Sequence, residues 1–136
     1  VGNADPMALV VAMAAAQAVQ FIGLPEARIT LGQAVTYVAS APKSNAAYLG
    51  IETALKDVRS KNCGGVPLHL RDAHYKGAAA LGHGTTYVYP HNCAGHFTPQ
   101  QYLPDKLKQA RYYRPTENGA EARLGAYLHD CWPQRY

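Results

Sequence analysis

The sequence predicts a mostly α-helical chain, and three observations carry that prediction. Apolar residues recur at helical spacing over the first 62 residues, capping and stopping residues punctuate those stretches, and a further helical pattern follows Thr116. At 136 residues there is material for one domain. The hydrophobic share of 48% against 16% charged residues marks a folding chain rather than a disordered one. Alanine dilutes that share, so the core is expected to lean on Leu, Val, Ile and Tyr.

The first helix opens on Asp5 as N-cap with Pro6 in the first turn, runs to about Ile22, and stops at Gly23 with Pro25 beyond. Met7, Val10, Val11, Phe21 and Ile22 fall on one side, expected to face the core. Leu9 and Met13 fall on the opposite side beside Gln17 and Gln20, and no charge occurs between Asp5 and Glu26. A helix apolar nearly all round needs a second cover, so Leu9, Met13, Gln17 and Gln20 form the candidate subunit interface.

Thr30 and Gln33 read as a capping box opening a second helix, with Leu31, Ala34, Val35 and Val38 on one face and Pro42 as its end. Ser44 caps a third helix whose Tyr48, Ile51, Leu55 and Val58 form a stripe. Residues 1–62 are therefore expected to make a helical bundle. From Cys63 to Pro104 the chain is dense in Gly and Pro, an irregular segment of the kind that is functional or packed by its own side chains. Within it, Leu68 to His74 suit a helical turn and Tyr87 to Tyr89 a short extended piece. Thr98 and Gln101 suggest a short helix ended by Pro104. Residues 105–136 close the domain with a helix that places Ala120, Leu124, Tyr127, Leu128 and Cys131 on one face.

The chemistry-bearing patterns are sparse. There is no G-x-x-x-x-G-K-[ST] phosphate loop, no dinucleotide fingerprint, no G-x-S-x-G and no H-E-x-x-H. No catalytic or cofactor-binding residue is therefore assigned. His91, Cys93 and His96, with Cys63 and His69 upstream, could together hold zinc, but the spacing lacks the paired halves of a zinc site; no metal is expected. Arg71 and Asp72, with Tyr89 and His91, read as structural members of the irregular segment. Lys106, Lys108, Arg111 and Arg114 alternate with Tyr102, Tyr112 and Tyr113, a pattern that suits weak contact with DNA and better suits a solvated face with the tyrosines packed under it.

A net charge of +4 spread along the chain does not require nucleic acid. Three cysteines without regular spacing point to a reducing, cytoplasmic compartment. The apolar run Met7–Ala16 has no basic residue before it and is shorter than a membrane span, so no membrane is expected.

Several uncommon strings recur in order: Gly2-Asn3-Ala4-Asp5-Pro6, Ala41-Pro42-Lys43-Ser44-Asn45-Ala46-Ala47-Tyr48, Val66-Pro67-Leu68-His69-Leu70-Arg71-Asp72-Ala73, Tyr89-Pro90-His91, Gln100-Gln101-Tyr102-Leu103-Pro104 and Tyr112-Tyr113-x-Pro115-Thr116. In these the chain resembles the C-terminal part of the replication-associated recombination protein A (RarA/MgsA) family, which includes the eukaryotic Werner-helicase-interacting ATPase. The resemblance implies a domain similar to the helical collar of clamp-loader subunits, which gathers AAA+ ATPases into a homotetramer. It further implies a nucleotide-binding core upstream that carries ATP and Mg, and a nucleoid-associated, DNA-dependent parent ATPase. That parent would act in replication-fork maintenance and recombination, with single-strand-binding protein and recombination factors as partners. Residues from His129 to Pro133, with Cys93, His96 and Phe97, depart from the family pattern. The rival readings are a stand-alone nucleic-acid-binding module and a small enzyme built on the His/Cys-rich segment.

Overall fold

The computed structural model describes residues 1–136 and contains four α-helices, six short 3-10 turns and no strand. The helices are α1 (Met7–Ile22), α2 (Ala27–Ser40), α3 (Ala46–Ser60) and α4 (Glu121–Cys131). None of them is long and apolar enough to cross a membrane.

Asp5 begins α1 as its sequence position predicts. One carboxylate oxygen accepts the Met7 N–H at 3.0 Å, and the other accepts the Tyr37 hydroxyl at 3.0 Å. A single side chain thus caps α1 and ties it to the end of α2. Gly23, at φ 73°, closes α1 with its N–H on the Val19 carbonyl, a conformation that excludes most side chains. The turn at Leu24–Glu26 starts α2 at Ala27, so Thr30 lies inside the helix and the expected capping box does not form. The fixed φ of Pro25 places the start earlier than the box would, and the Arg28 N–H bonds the Pro25 carbonyl. At the other end Ala41 is extended (ψ 144°), as the residue before a proline must be.

α1 and α2 pack against each other as a hairpin, while α3 docks on the N-terminal turn Gly2–Ala4. The expected bundle of residues 1–62 is therefore a hairpin plus one separately placed helix. In α1 the packed stripe is Ala8 and Ala15, with Val11, Ala18 and Val19 half-buried. Met7, Val10 and Ile22 stand exposed and Phe21 is 90% exposed, which overturns their assignment to the core. Small side chains let two helices approach closely, so the alanines meet the neighbour and the bulky residues point away. In α3 likewise Ala46 and Gly50 are buried, whereas Tyr48, Ile51 and Val58 face outward.

Nine residues are buried in all: seven alanines, Gly50 and Glu121. No Leu, Val, Ile or aromatic residue is among them, so the expected aliphatic and tyrosine core does not exist within one chain. The accessible surface is 9836 Å² for a 14.7 kDa chain. A self-contained folded monomer of that mass exposes roughly 6,900 Å², so the chain carries an excess of about 2,900 Å².

The irregular segment is braced from within. The Gln100 side-chain amide donates to the Val88 carbonyl at 2.8 Å and accepts the Val88 N–H at 3.3 Å, matching the backbone of the extended Tyr87–Tyr89 piece. Gln100 is consumed in that way, and no helix forms from Thr98 to Leu103. The turn at Leu68–Leu70 does form, held by the Gly84 N–H on the Leu68 carbonyl.

Candidate assembly surface

The two features that organise the molecule are a buried carboxylate that joins distant segments and an apolar groove that nothing in the chain covers. Glu121 begins α4 and is 0% exposed. Its Oε2 accepts the Ser44 hydroxyl at 2.7 Å, the Thr116 N–H at 2.8 Å and the Thr116 hydroxyl at 2.7 Å. Its Oε1 accepts the Tyr113 hydroxyl at 2.9 Å, and the Asn3 amide donates to that same hydroxyl at 3.2 Å. Ser44 Oγ also accepts the Ala46 N–H at 3.1 Å, so the residue that caps α3 is itself held by Glu121. Around this carboxylate the Ala120 N–H reaches the Ala4 carbonyl at 2.8 Å and the Asn118 amide reaches the Lys43 carbonyl at 2.9 Å. The knot thus stitches the N-terminal turn, the α2–α3 connection and the lead-in to α4.

Burial alone would raise the Glu121 carboxyl, but the donors from Ser44, Thr116 and Tyr113 outweigh it and hold the group at about 2, below its ordinary 4.5. The carboxylate therefore contributes its full stability above pH 4.5 and loses it as pH falls from there through about 2. Urea midpoints measured on stepping down through this window should fall progressively for the wild-type chain. The component due to this residue should be missing in Glu121→Gln. A wild-type and variant difference that does not narrow on acidification would show that the knot is not held by an ionised carboxylate.

The groove lies between α1 and α2. It has a volume of about 470 Å³ and eight lining residues, all apolar: Ala12, Ala15, Ala16, Leu31, Ala34, Val35, Val38 and Ala39. The face read in the sequence as Leu31, Ala34, Val35 and Val38 is real, but it is open rather than packed into a core. A second hollow of about 470 Å³ at the start of α1 shares Ala12 and Val38 with the groove and includes Leu9. Leu9 is 73% exposed and Met13 55%, and Gln17 and Gln20 are exposed beyond them.

The strings that converge on Glu121 are Gly2–Pro6, Ala41–Tyr48 and Tyr112–Thr116, three of those on which the family resemblance rests. The family model described as MgsA AAA+ ATPase C terminal matches residues 1–132. The chain belongs to this family. Over 119 residues it is 49% identical to replication-associated recombination protein A of Bacillus subtilis, covering 88% of this chain and 28% of that protein. An AAA domain-containing protein of Mycobacterium tuberculosis is 48% identical over 128 residues, 94% of this chain and 28% of its own length. Replication-associated recombination protein A of Escherichia coli is 41% identical over 129 residues, 94% of this chain and 29% of its own. The chain thus spans under a third of the length of these curated relatives.

This family signature is architectural in the residues it fixes here. Arg71 and Asp72 do not pair with each other: the Arg71 Nε donates to the Val66 carbonyl at 2.8 Å, and Asp72 accepts the His74 N–H and ring nitrogen at 2.9 and 2.8 Å. These bonds, the His74 N–H foremost, hold the Asp72 carboxyl below its ordinary value. Tyr89, His91 and His96 form a run of tilted rings with centroids 5.1 and 5.0 Å apart. No three of the His, Cys, Asp and Glu side chains come together in ligating geometry. Cys63 turns instead toward the Asp57 carbonyl at 3.5 Å.

The four basic residues singled out in the sequence do not act alike. Lys106, Lys108 and Arg114 are exposed, whereas Arg111 is half-buried with its guanidinium over the Tyr136 ring. Tyr112 and Tyr113 are not free stacking platforms, because their hydroxyls bond Asp57 and Glu121. Burial first, then these carboxylates, push both phenols upward. Sequence reasoning missed Glu121 and Asp57; the Ser44 and Tyr112 hydroxyls that bond them lie too far along the chain to suggest the pairing.

Proposed function

We propose that this chain is the assembly domain of a DNA-dependent AAA+ ATPase of replication-fork maintenance and recombination, and that it gathers copies of itself into a homotetramer. The observation that carries this reading is the surface excess of about 2,900 Å², within the range that obligate assemblies bury. The α1–α2 groove gives that excess a location, since apolar patches of this extent are covered in working proteins. A second copy is the fitting occupant. The outer face of α1 bears Leu9 and Met13 without a single charge, and such a face can be both donor and receiver in a symmetric contact.

The rest of the reading follows from what the family resemblance implies. ATP and Mg are assigned to the portion of such proteins that this chain does not span, and the 136 residues themselves perform no catalysis and hold no metal. DNA, single-strand-binding protein and recombination factors are partners of the whole protein, which works in the nucleoid of the cytoplasm.

Leu9→Asp combined with Met13→Asp tests the location. The pair should lower the mass in solution while helical circular dichroism is retained, because both side chains are exposed within one chain. A double variant that keeps the wild-type mass would remove this face from the interface.

A further inference from the structure

A hollow beside α3, lined by none of the groove residues, is unexplained by assembly. The segment 111–114 lies against α3 so closely that a Cβ on Gly50 would stand 3.2 Å from the Tyr112 carbonyl oxygen. Two anchors fix it there: the Tyr112 hydroxyl donates to Asp57 at 3.0 Å, and the Tyr113 hydroxyl donates to Glu121 at 2.9 Å. The residues flanking these tyrosines, Arg111 and Arg114, both line a cavity of about 340 Å³ together with Ala46, Leu49, Thr53 and Tyr112.

Neither guanidinium has a carboxylate within ion-pair distance. Asp57 is committed to Lys61 and Tyr112, and Glu121 to its hydroxyl donors, while Glu117, which lines a neighbouring hollow with Arg111 and Tyr136, stands beyond ion-pair distance. The Arg111 Nε is buried and donates to nothing, a rare condition for a charged donor. The Tyr136 ring stands 4.3 Å from its guanidinium carbon and covers one face.

We propose that Arg111 and Arg114 bind a phosphate group in this cavity. Two guanidinium forks require more acceptor oxygens than one carboxylate presents, and a phosphate presents them in matching geometry. The Ala46, Leu49 and Tyr112 walls suit the apolar edges of a sugar carrying that phosphate. The site separates the two arginines from Lys106 and Lys108, with which the sequence pattern groups them.

Calorimetric titration of the chain with inorganic phosphate, and separately with a short oligothymidine, tests this. Arg114 is exposed, so Arg114→Gln should fold normally and weaken both ligands about tenfold or more, whereas Lys106→Gln with Lys108→Gln should change them less than about threefold. Oligothymidine binding far tighter than phosphate, with the same dependence on Arg114, identifies the source as a nucleic-acid backbone; equal affinities identify a free phosphate. An affinity indifferent to Arg114, or lowered as much by the lysine pair, overturns the site.

Discussion

Replacing Glu121 by Ala should destabilise the chain by about 3–5 kcal/mol, because it strips a common acceptor from several buried donors at once. The Ser44 hydroxyl, the Thr116 N–H and hydroxyl, and the Tyr113 hydroxyl all converge on this one carboxylate. Some would find water, but the residue is 0% exposed and the space it leaves is enclosed by the three segments it joins. The loss should be visible as a lowered urea midpoint, and it should propagate. Ser44 caps α3, so helical circular dichroism of Glu121→Ala should be lost at lower temperature throughout the first 60 residues, not only in α4. Glu121→Gln should lie between the two, since an amide keeps one acceptor but offers donors where only donors already point. A loss under about 1 kcal/mol would mean that the knot is dispensable.

Gly119→Ala should be nearly as damaging for a different reason. Gly119 holds φ at +55°, a left-handed conformation that costs an ordinary residue roughly 1–2 kcal/mol. More severely, a Cβ there would lie 2.2 Å from the Ala4 carbonyl oxygen and 2.7 Å from Pro42 Cγ. The backbone would have to retreat, breaking the 2.8 Å bond from the Ala120 N–H to Ala4 and opening the knot from its other side. The expected loss is at least about 3 kcal/mol. Gly32→Ala provides the contrast: that glycine sits in α2 with open space around its missing Cβ, so alanine should stabilise by about 1 kcal/mol. If Gly119→Ala and Gly32→Ala melt alike, the close approach of the α4 lead-in to the N-terminal turn is wrong.

Much of this architecture is legible in the residues. The ends of α1 follow from Asp5, Pro6 and Gly23, and the end of α2 from Pro42, because capping and proline geometry act over three or four neighbours. The irregular character of 63–104 follows from its Gly and Pro. What the residues do not reveal is what lies within. Periodicity in α1 identifies an apolar cylinder, but it cannot say that Ala8 and Ala15 meet α2 while Phe21 and Met7 face outward. That choice depends on how closely the partner helix approaches. In α3 the same inference fails at Tyr48, Ile51 and Val58 for the same reason. Glu121 is illegible because its partner Ser44, and Asn3 which bonds its partner Tyr113, are remote in sequence. The strings that reveal the family converge on it only in three dimensions. The arginines of the phosphate site could be picked out by their spacing, yet their separation from Lys106 and Lys108 needed the anchors on Asp57 and Glu121.

The central claim is that the apolar surface of one chain is completed by other copies of the same chain. Light scattering on the purified 136-residue chain, over a dilution series, addresses it with the fewest assumptions. A homotetramer has four times the 14.7 kDa of the chain, about 59 kDa, and an interface of obligate size should hold that mass on dilution to low micromolar concentration. A stable 14.7 kDa monomer with native helical content would contradict the account.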